Sequence, residues 1–184
     1  MNQRLERKIN NLENIERVKA NEVCTYLSLN REDRVLDVGA GTGYMSLAIA
    51  ERVKSVVAFD FDSDVLHYLE KVANQKNIKN IETRVGDFKD IPLESESFDK
   101  AVASISLHEV QPLPTALSEI YKVLKNNGLF VCIELEHVEG IQAPRVKSIE
   151  MKTEMIKAGF TIKEMFFPEK KIANQPVYII VGEK

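Results

Sequence analysis

The sequence predicts an α/β fold built on a mostly parallel sheet, and three observations carry that expectation. Apolar, β-branched runs alternate with stretches of helical period from residue 34 onward. One such run, Val35-Leu36-Asp37-Val38, passes directly into Gly39-Ala40-Gly41-Thr42-Gly43, which reads as a buried strand, a tight turn and the start of a helix. The last two apolar runs have no helix between them, so they should pair antiparallel.

Taken in order, residues 1–29 place Leu5, Ile9, Leu12, Ile15 and Val18, then Val23, Cys24 and Leu27, at spacings of mostly three and four. Asn11, Asn14 and Asn21 are sites to cap or interrupt that pattern, so one broken helix or two short ones should form an amino-terminal cover over a ligand mouth. The core of a single domain then runs over 30–184. Its first strand is Arg34 to Val38, and Met45, Leu47, Ala48 and Ala50 give a short helix over Tyr44 to Arg52. Ser55 to Phe59 is a second strand ending in Asp60. Asp62 or Ser63 then caps a helix striped by Val65, Leu66, Leu69, Val72 and Ala73.

Ile81 to Val85 is a third strand, followed by Gly86-Asp87-Phe88 and a charged loop. Phe98 and Asp99 lead into a fourth strand, Ala101 to Ser104. Pro112 and Pro114 suit the first turn of a helix carrying Leu117, Ile120, Tyr121 and Leu124, with Asn126-Asn127-Gly128 as its stop. Leu129 to Leu135 is apolar almost throughout, as a strand covered on both faces should be. Glu136 to Arg145 lacks any period and reads as a specificity loop. Lys147 to Ala158 is helical and stopped by Gly159. Phe160, Ile162 and Phe166 should share one face of a sixth strand, and Val177 to Val181 forms a seventh.

Composition narrows the function classes. With 184 residues, 44% of them hydrophobic, and a formal charge of -3, the chain has a sizeable core and no global pull toward nucleic acid or anionic lipid. Arg4, Arg7, Lys8, Arg17 and Lys19 gather near the start, but Glu6, Glu13 and Glu16 interleave them, as on a solvated helix face. No apolar stretch approaches ~18 residues and the first ten residues lack a signal-like core, so no membrane partner is expected and the expected compartment is the cytoplasm. Cys24 and Cys132 read as reduced core thiols, and no metal-ligand spacing is present.

The residues that carry chemistry gather at the predicted carboxyl ends of strands, where ligands of such sheets bind: Asp37, Gly39, Gly41, Gly43, Asp60, Asp87, Ser104 and His108. A dinucleotide fingerprint needs Gly-x-Gly-x-x-Gly, yet here the spacing is Gly-x-Gly-x-Gly and Tyr44 stands where the third glycine belongs. A carboxylate at Asp37 would repel a diphosphate and attract an ammonium or sulfonium.

On these residues the chain resembles the class I S-adenosylmethionine-dependent methyltransferases of the small-molecule type. The resemblance covers roughly residues 30–184. Beyond the glycine stretch it includes Val57-Ala58-Phe59-Asp60, Gly86-Asp87-Phe88, Phe98-Asp99-Lys100-Ala101-Val102 and Leu124-Lys125-Asn126-Asn127-Gly128-Leu129, in the family's order. It implies a Rossmann-like three-layer α/β sandwich with a seven-stranded sheet ordered 3-2-1-4-5-7-6, strand 7 antiparallel. It also implies S-adenosylmethionine as cofactor and S-adenosylhomocysteine as product.

By the same resemblance, Gly39, Gly41 and Gly43 lie against the methionine end with Asp37 near its amino group. Asp60 accepts from the ribose hydroxyls, Phe61 flanks the adenine, Asp87 and the Phe88 backbone approach the ring, and the Ser104 carbonyl meets the ammonium. Plainer roles compete with these: helix capping for Asp60, a turn position for Asp87, core packing for Phe61 and Phe88.

A base is needed only where the acceptor must lose a proton. His108 and Glu109 are the catalytic candidates, because the loop after strand four faces the transferred methyl in this family; Glu134, Glu136 and His137 follow. Solvent-facing or packing roles compete for each of them and for Arg145. The run Ser104-Ile105-Ser106-Leu107-His108 lacks the Asn-Pro-Pro-aromatic signature of amino-directed nucleic-acid methylases. The expectation is therefore a small-molecule acceptor bound by a monomer or homodimer. An RNA-modifying enzyme and a non-catalytic cofactor-binding protein are the alternatives.

Overall fold

The structure, a computed structural model, describes residues 3–184; Met1 and Asn2, the first residues of the expected cover, lie outside them. Seven strands form one sheet: β1 (Arg34–Val38), β2 (Ser55–Asp60), β3 (Ile81–Val85), β4 (Phe98–Ser104), β5 (Leu124–Leu135), β6 (Thr161–Phe166) and β7 (Val177–Glu183). Their spatial order is β3-β2-β1-β4-β5-β7-β6. The first five are parallel, while β7 runs antiparallel between β5 and β6. Both the order and the antiparallel end match the sequence expectation.

Among the described residues six α-helices complete the layers: α1 (Gln3–Asn14), α2 (Ala20–Leu27), α3 (Tyr44–Ala50), α4 (Ser63–Gln75), α5 (Leu113–Val123) and α6 (Ser148–Ala158). Strand side chains alternate between faces. Val35, Val56, Val102, Val131 and Ile179 therefore pack with α2 and α3, whereas Leu36, Val57, Ala101, Phe130 and Ile180 pack with α5 and α6. Asp37 falls by the same parity on the α3 face. No helix joins β3 to β4; Phe88 and Ile91 from the connecting loop cover that part of the sheet instead. Among the described residues no helix is long and apolar enough to cross a membrane.

Two local expectations are corrected. Asn126-Asn127-Gly128 does not stop the helix, because α5 already ends at Val123 and these residues belong to β5. Leu124 pairs with Phe98, and Asn127, at φ 62°, donates its N–H to the Lys184 carbonyl, so the sheet claims residues whose composition reads as a turn. Nor do Phe160, Ile162 and Phe166 share a face. A register shift between Ile162 and Glu164 reverses the alternation, leaving Phe160 and Ile162 under α6 while Phe166 meets Tyr26 of α2 at 4.6 Å between ring centroids.

Candidate functional site

The parallel strands end along one edge, and the glycine turn between β1 and α3 crosses it. Gly39 and Ala40 donate their N–H groups to the Phe59 carbonyl at 2.8 and 3.1 Å, which ties the turn to the end of β2. Gly39, Gly41 and Gly43 all have positive φ. A Cβ on Gly39 would sit 2.3 Å from the Ser106 Cβ, so this position must be glycine for the β4 loop to close down on the turn. On Gly41 a Cβ would meet nothing nearer than the Leu12 side chain at 3.9 Å, which leaves backbone bare toward the groove. Gly43 faces Leu69 of α4 and does not line the groove, contrary to the contact with the methionine end that the resemblance implies.

These two glycines separate fold from ligand. Gly39→Ala should cost at least about 2 kcal/mol of stability, from a left-handed alanine and a clash with Ser106. Gly41→Ala should cost only about 1 kcal/mol yet abolish ligand binding at the turn. Urea unfolding beside ligand titration reads both effects; equal stability loss in the two variants would contradict the assignment.

The groove is continuous. An inner recess of about 70 Å³ is lined by Asp37, Gly39, Gly41, Arg17, Tyr44 and Ser104. It shares Gly39, Gly41, Leu12, Ile15 and Ile105 with a main cleft of about 800 Å³ that also takes in Asp60, His108, Leu135, Arg145 and Ile172. An outer part of about 580 Å³ runs between Phe61 and Phe88 past Gly86 and Asp87 to Glu109. Of the residues singled out from the sequence, Asp37, Gly39, Gly41, Asp60, Phe61, Asp87, Phe88, Ser104, His108, Glu109 and Arg145 line one of these parts, whereas Gly43, Glu134, Glu136 and His137 do not.

Buried carboxylates hold the groove in shape. Asp37 accepts from the Ser46 hydroxyl of α3 at 2.6 Å. Burial raises its pKa to about 6 against the opposing effect of that bond. Since an unfolded aspartate titrates near ~3.9, the folded chain holds this proton more tightly, and stability should increase as pH falls from about 6 toward 4. Asp37→Asn should flatten that part of a stability profile; an unaltered profile would assign the dependence to another group.

Asp60 is buried at the end of β2 and accepts from Gly41 N–H at 2.9 Å through one oxygen and from Asp62 N–H at 3.0 Å through the other. Burial raises its pKa, opposed by those two bonds. The capping role goes to Asp62, whose side chain accepts from the N–H groups of Asp64 and Val65. Phe61 is 63% exposed at the lip, whereas Phe88 is buried against Phe59 with one edge on the groove. Asp87 is exposed, and the bond from Lys89 N–H leads the effects lowering its pKa.

Beyond β4 the chain turns sharply at Ile105, where a β-branched residue adopts φ 55°, a strained conformation costing about 1–3 kcal/mol. The turn lets Ser106 donate its hydroxyl to the Val38 carbonyl at 2.9 Å and delivers a single helical turn, Leu107–Glu109. Glu134, fully buried at the end of β5, organises it. One carboxylate oxygen accepts from the N–H groups of Ser106, Leu107 and His108 at 2.9, 2.7 and 3.3 Å, and the other lies 2.8 Å from His108 Nδ1. Burial works to lower the His108 pKa, but the bond and charge of Glu134 outweigh it and hold the value above the usual one. A carboxylate accepts only, so Nδ1 donates and Nε2 is left unprotonated in the neutral ring. Glu109 is largely exposed, with its carboxylate 3.9 Å from Nε2.

Several expectations about this region change. Glu134 supports a histidine rather than serving as an open base. Its signal is a lone acid in the otherwise apolar, buried second half of β5, residues 129–135. Glu136 accepts from Ser148 N–H at the start of α6, and His137 does not line the cleft. Of the loop from Glu136 to Arg145 only Arg145 reaches the cleft. The missing wall comes from the turn at Ile172, Ala173 and Gln175 between β6 and β7, a segment with no pattern of its own. The cover does overhang the groove: Lys8 pairs with Asp62, Lys170 pairs with Glu16, and Arg17 stacks on Tyr44 at 4.9 Å.

This arrangement of glycine turn, strand-end acids and strand order agrees with comparisons to known proteins. The family described as a methyltransferase domain matches residues 29–178. The chain is 28% identical over 103 residues to the uncharacterized methyltransferase YcgJ of Bacillus subtilis, covering 56% of this chain and 41% of that protein. It is 32% identical over 120 residues to a ubiquinone/menaquinone biosynthesis C-methyltransferase of Rickettsia prowazekii, covering 61% and 48%. The chain thus spans about half the length of these curated relatives. A solved SAM-dependent methyltransferase from Aquifex aeolicus superposes with a TM-score of 0.80 at 18% identity, over 96% of both chains, which shows a shared fold. The chain belongs to the methyltransferase-domain family, within the class I S-adenosylmethionine-dependent methyltransferases.

Proposed function

We propose that the chain transfers a methyl group from S-adenosylmethionine to a small-molecule acceptor held beside His108. The observation that carries this reading is that the bare backbone of Gly41 and the His108 ring line one continuous cleft. The residues present suit the cofactor: Gly41 leaves room for it, Asp60 keeps free acceptor capacity for ribose hydroxyls, and Asp37 and Ser104 line the recess suited to an ammonium. Phe61 and Phe88 both line the outer part of the groove, whose volume of about 580 Å³ has room for a purine. Bound S-adenosylmethionine supplies an already activated methyl group.

What remains for the protein is to orient the acceptor, exclude water and, for a hydroxyl or an acidic carbon, take a proton. His108 Nε2 is the group for that proton, with Glu134 holding the ring and its tautomer. Leu12, Ile15, Ile105, Leu135 and Ile172 give the acceptor an apolar bed. The relative named as a quinone-biosynthesis C-methyltransferase supports an acceptor of phenolic or enolic character, in which loss of the hydroxyl proton activates a neighbouring carbon or the oxygen itself. Against the RNA reading, Lys8 is paired and Arg17 turns inward to the Leu12 and Ile15 carbonyls, so neither extends toward a nucleic-acid backbone.

The test is calorimetric titration with S-adenosylmethionine, S-adenosylhomocysteine and NAD, then transfer of labelled methyl groups to a panel of phenols and enols. Binding of both sulfur cofactors, no response to NAD, and label in an organic product are expected. Failure to bind either sulfur cofactor overturns the proposal. Tight binding with no transfer to any metabolite would instead favour a non-catalytic cofactor-binding protein. Protonation of Asp37 removes the charge facing the ammonium, so affinity should fall below pH about 6.

A further inference from the structure

Resting on the methyl-transfer reading, we propose that Arg145 anchors the acceptor by binding an anionic oxygen group, a carboxylate or a phosphate, that the methylated molecule carries. Arg145 lines the main cleft together with His108 and Gln175 and does not line the inner recess at the glycine turn. Its guanidinium is fixed by neutral acceptors: Nε donates to Gln175 Oε1 at 2.9 Å and Nη1 to the Pro144 carbonyl at 2.6 Å. Gln175 is itself buried, held in a turn whose Ile172 and Gln175 exchange both backbone hydrogen bonds. On the other side, Val146 is buried and its carbonyl accepts from the Tyr178 hydroxyl at 3.1 Å, so the chain next to Arg145 is pinned as well.

A guanidinium used only for structure normally meets a carboxylate or stays in water. Among the described residues no carboxylate lies within ion-pair distance of Arg145, and the acids on the same cleft are otherwise engaged. Asp60 holds Gly41 and Asp62, Glu16 pairs with Lys170, and Glu109 sits at the exposed rim beside His108. Nη2 and the remaining N–H of Nη1 are left to form a forked, charge-assisted contact with a planar or tetrahedral oxyanion. Arg145 and His108 line the same cleft, close enough for the charge of Arg145 to oppose protonation of His108.

The experiment uses the full chain saturated with S-adenosylhomocysteine. It is titrated with catechol, its carboxylate 3,4-dihydroxybenzoate and its amine dopamine, and with phenol against phenyl phosphate. At least one anionic probe should bind about 10-fold or more tightly than its neutral twin, the gain of one charge-assisted contact. The carboxylate and phosphate arms show which oxyanion fits. Arg145→Met should erase that advantage, and Arg145→Lys should keep part of it, with affinity for S-adenosylhomocysteine within about two-fold in both since Arg145 lies off the glycine turn. The inference is overturned if no anion binds better than its neutral twin, if dopamine binds best, or if the advantage survives in Arg145→Met. Loss of S-adenosylhomocysteine binding by the unaltered chain would overturn the methyl-transfer reading and this inference together. Intact cofactor binding without anion preference overturns this inference alone.

Discussion

Asp60→Ala is expected to weaken S-adenosylhomocysteine binding by about 100-fold or more while the chain stays folded. The carboxylate already organises the groove, receiving Gly41 and Asp62 N–H groups through separate oxygens, and each oxygen retains a lone pair directed away from those donors. Two ribose hydroxyls donating to a buried carboxylate form charge-assisted bonds worth roughly 1.5–3 kcal/mol each. Losing both, together with the tether on Gly41, accounts for a loss of that size. Stability should suffer less, because burial disfavours the Asp60 charge and Asp62 independently caps α4. Asp87→Ala should cost only a few-fold in affinity, since Asp87 is exposed and water competes for any bond it accepts. An Asp60→Ala protein that binds the ligand normally would remove the ribose assignment.

Glu134→Gln should lower kcat by about 10²- to 10⁴-fold for acceptors that must lose a proton, with donor affinity unchanged. An amide oxygen at position 134 can still accept from the N–H groups of Ser106, Leu107 and His108, so the local backbone should survive. The other carboxylate oxygen becomes an NH2 facing His108 Nδ1, which must then accept, and the proton moves to Nε2. The ring is present but in the wrong tautomer for a base. In the unaltered chain activity should rise with pH through the raised His108 pKa, as the imidazolium loses its proton. In the variant that rise should move to lower pH. A variant whose rate and profile both match the parent would show that Glu134 is only structural.

The strands and helices were largely legible in the sequence because each carries its own period. Val35-Leu36-Asp37-Val38 before three alternating glycines announces a strand-turn-helix, and the missing helix between β6 and β7 announces an antiparallel pair. Legibility stopped where tertiary pairing overrides local composition. Asn126 and Asn127 read as a helix stop but are taken up by β5, and the bulge in β6 that sends Phe166 across the sheet leaves no trace in residue pattern.

The positions proposed for the donor could be located for a related reason: Asp37 and Asp60 lie at the carboxyl ends of β1 and β2, and Asp87 just beyond that of β3, all fixed by the sheet. The acceptor half depends on long-range approaches. Gln175 meets Arg145 and Glu134 meets His108 across 30 and 26 residues of sequence, and no spacing rule encodes either contact.

In the proposed arrangement one groove holds the methyl donor on the glycine turn and the acceptor beside His108. A crystal structure of the complex with S-adenosylhomocysteine tests it most directly. The ribose should lie on Asp60, the adenine beside Phe61 and Phe88, the amino group toward Asp37, and the sulfur should open to the side of the cleft lined by His108 and Arg145. A cofactor bound elsewhere, or one whose sulfur is walled off from His108, would contradict it.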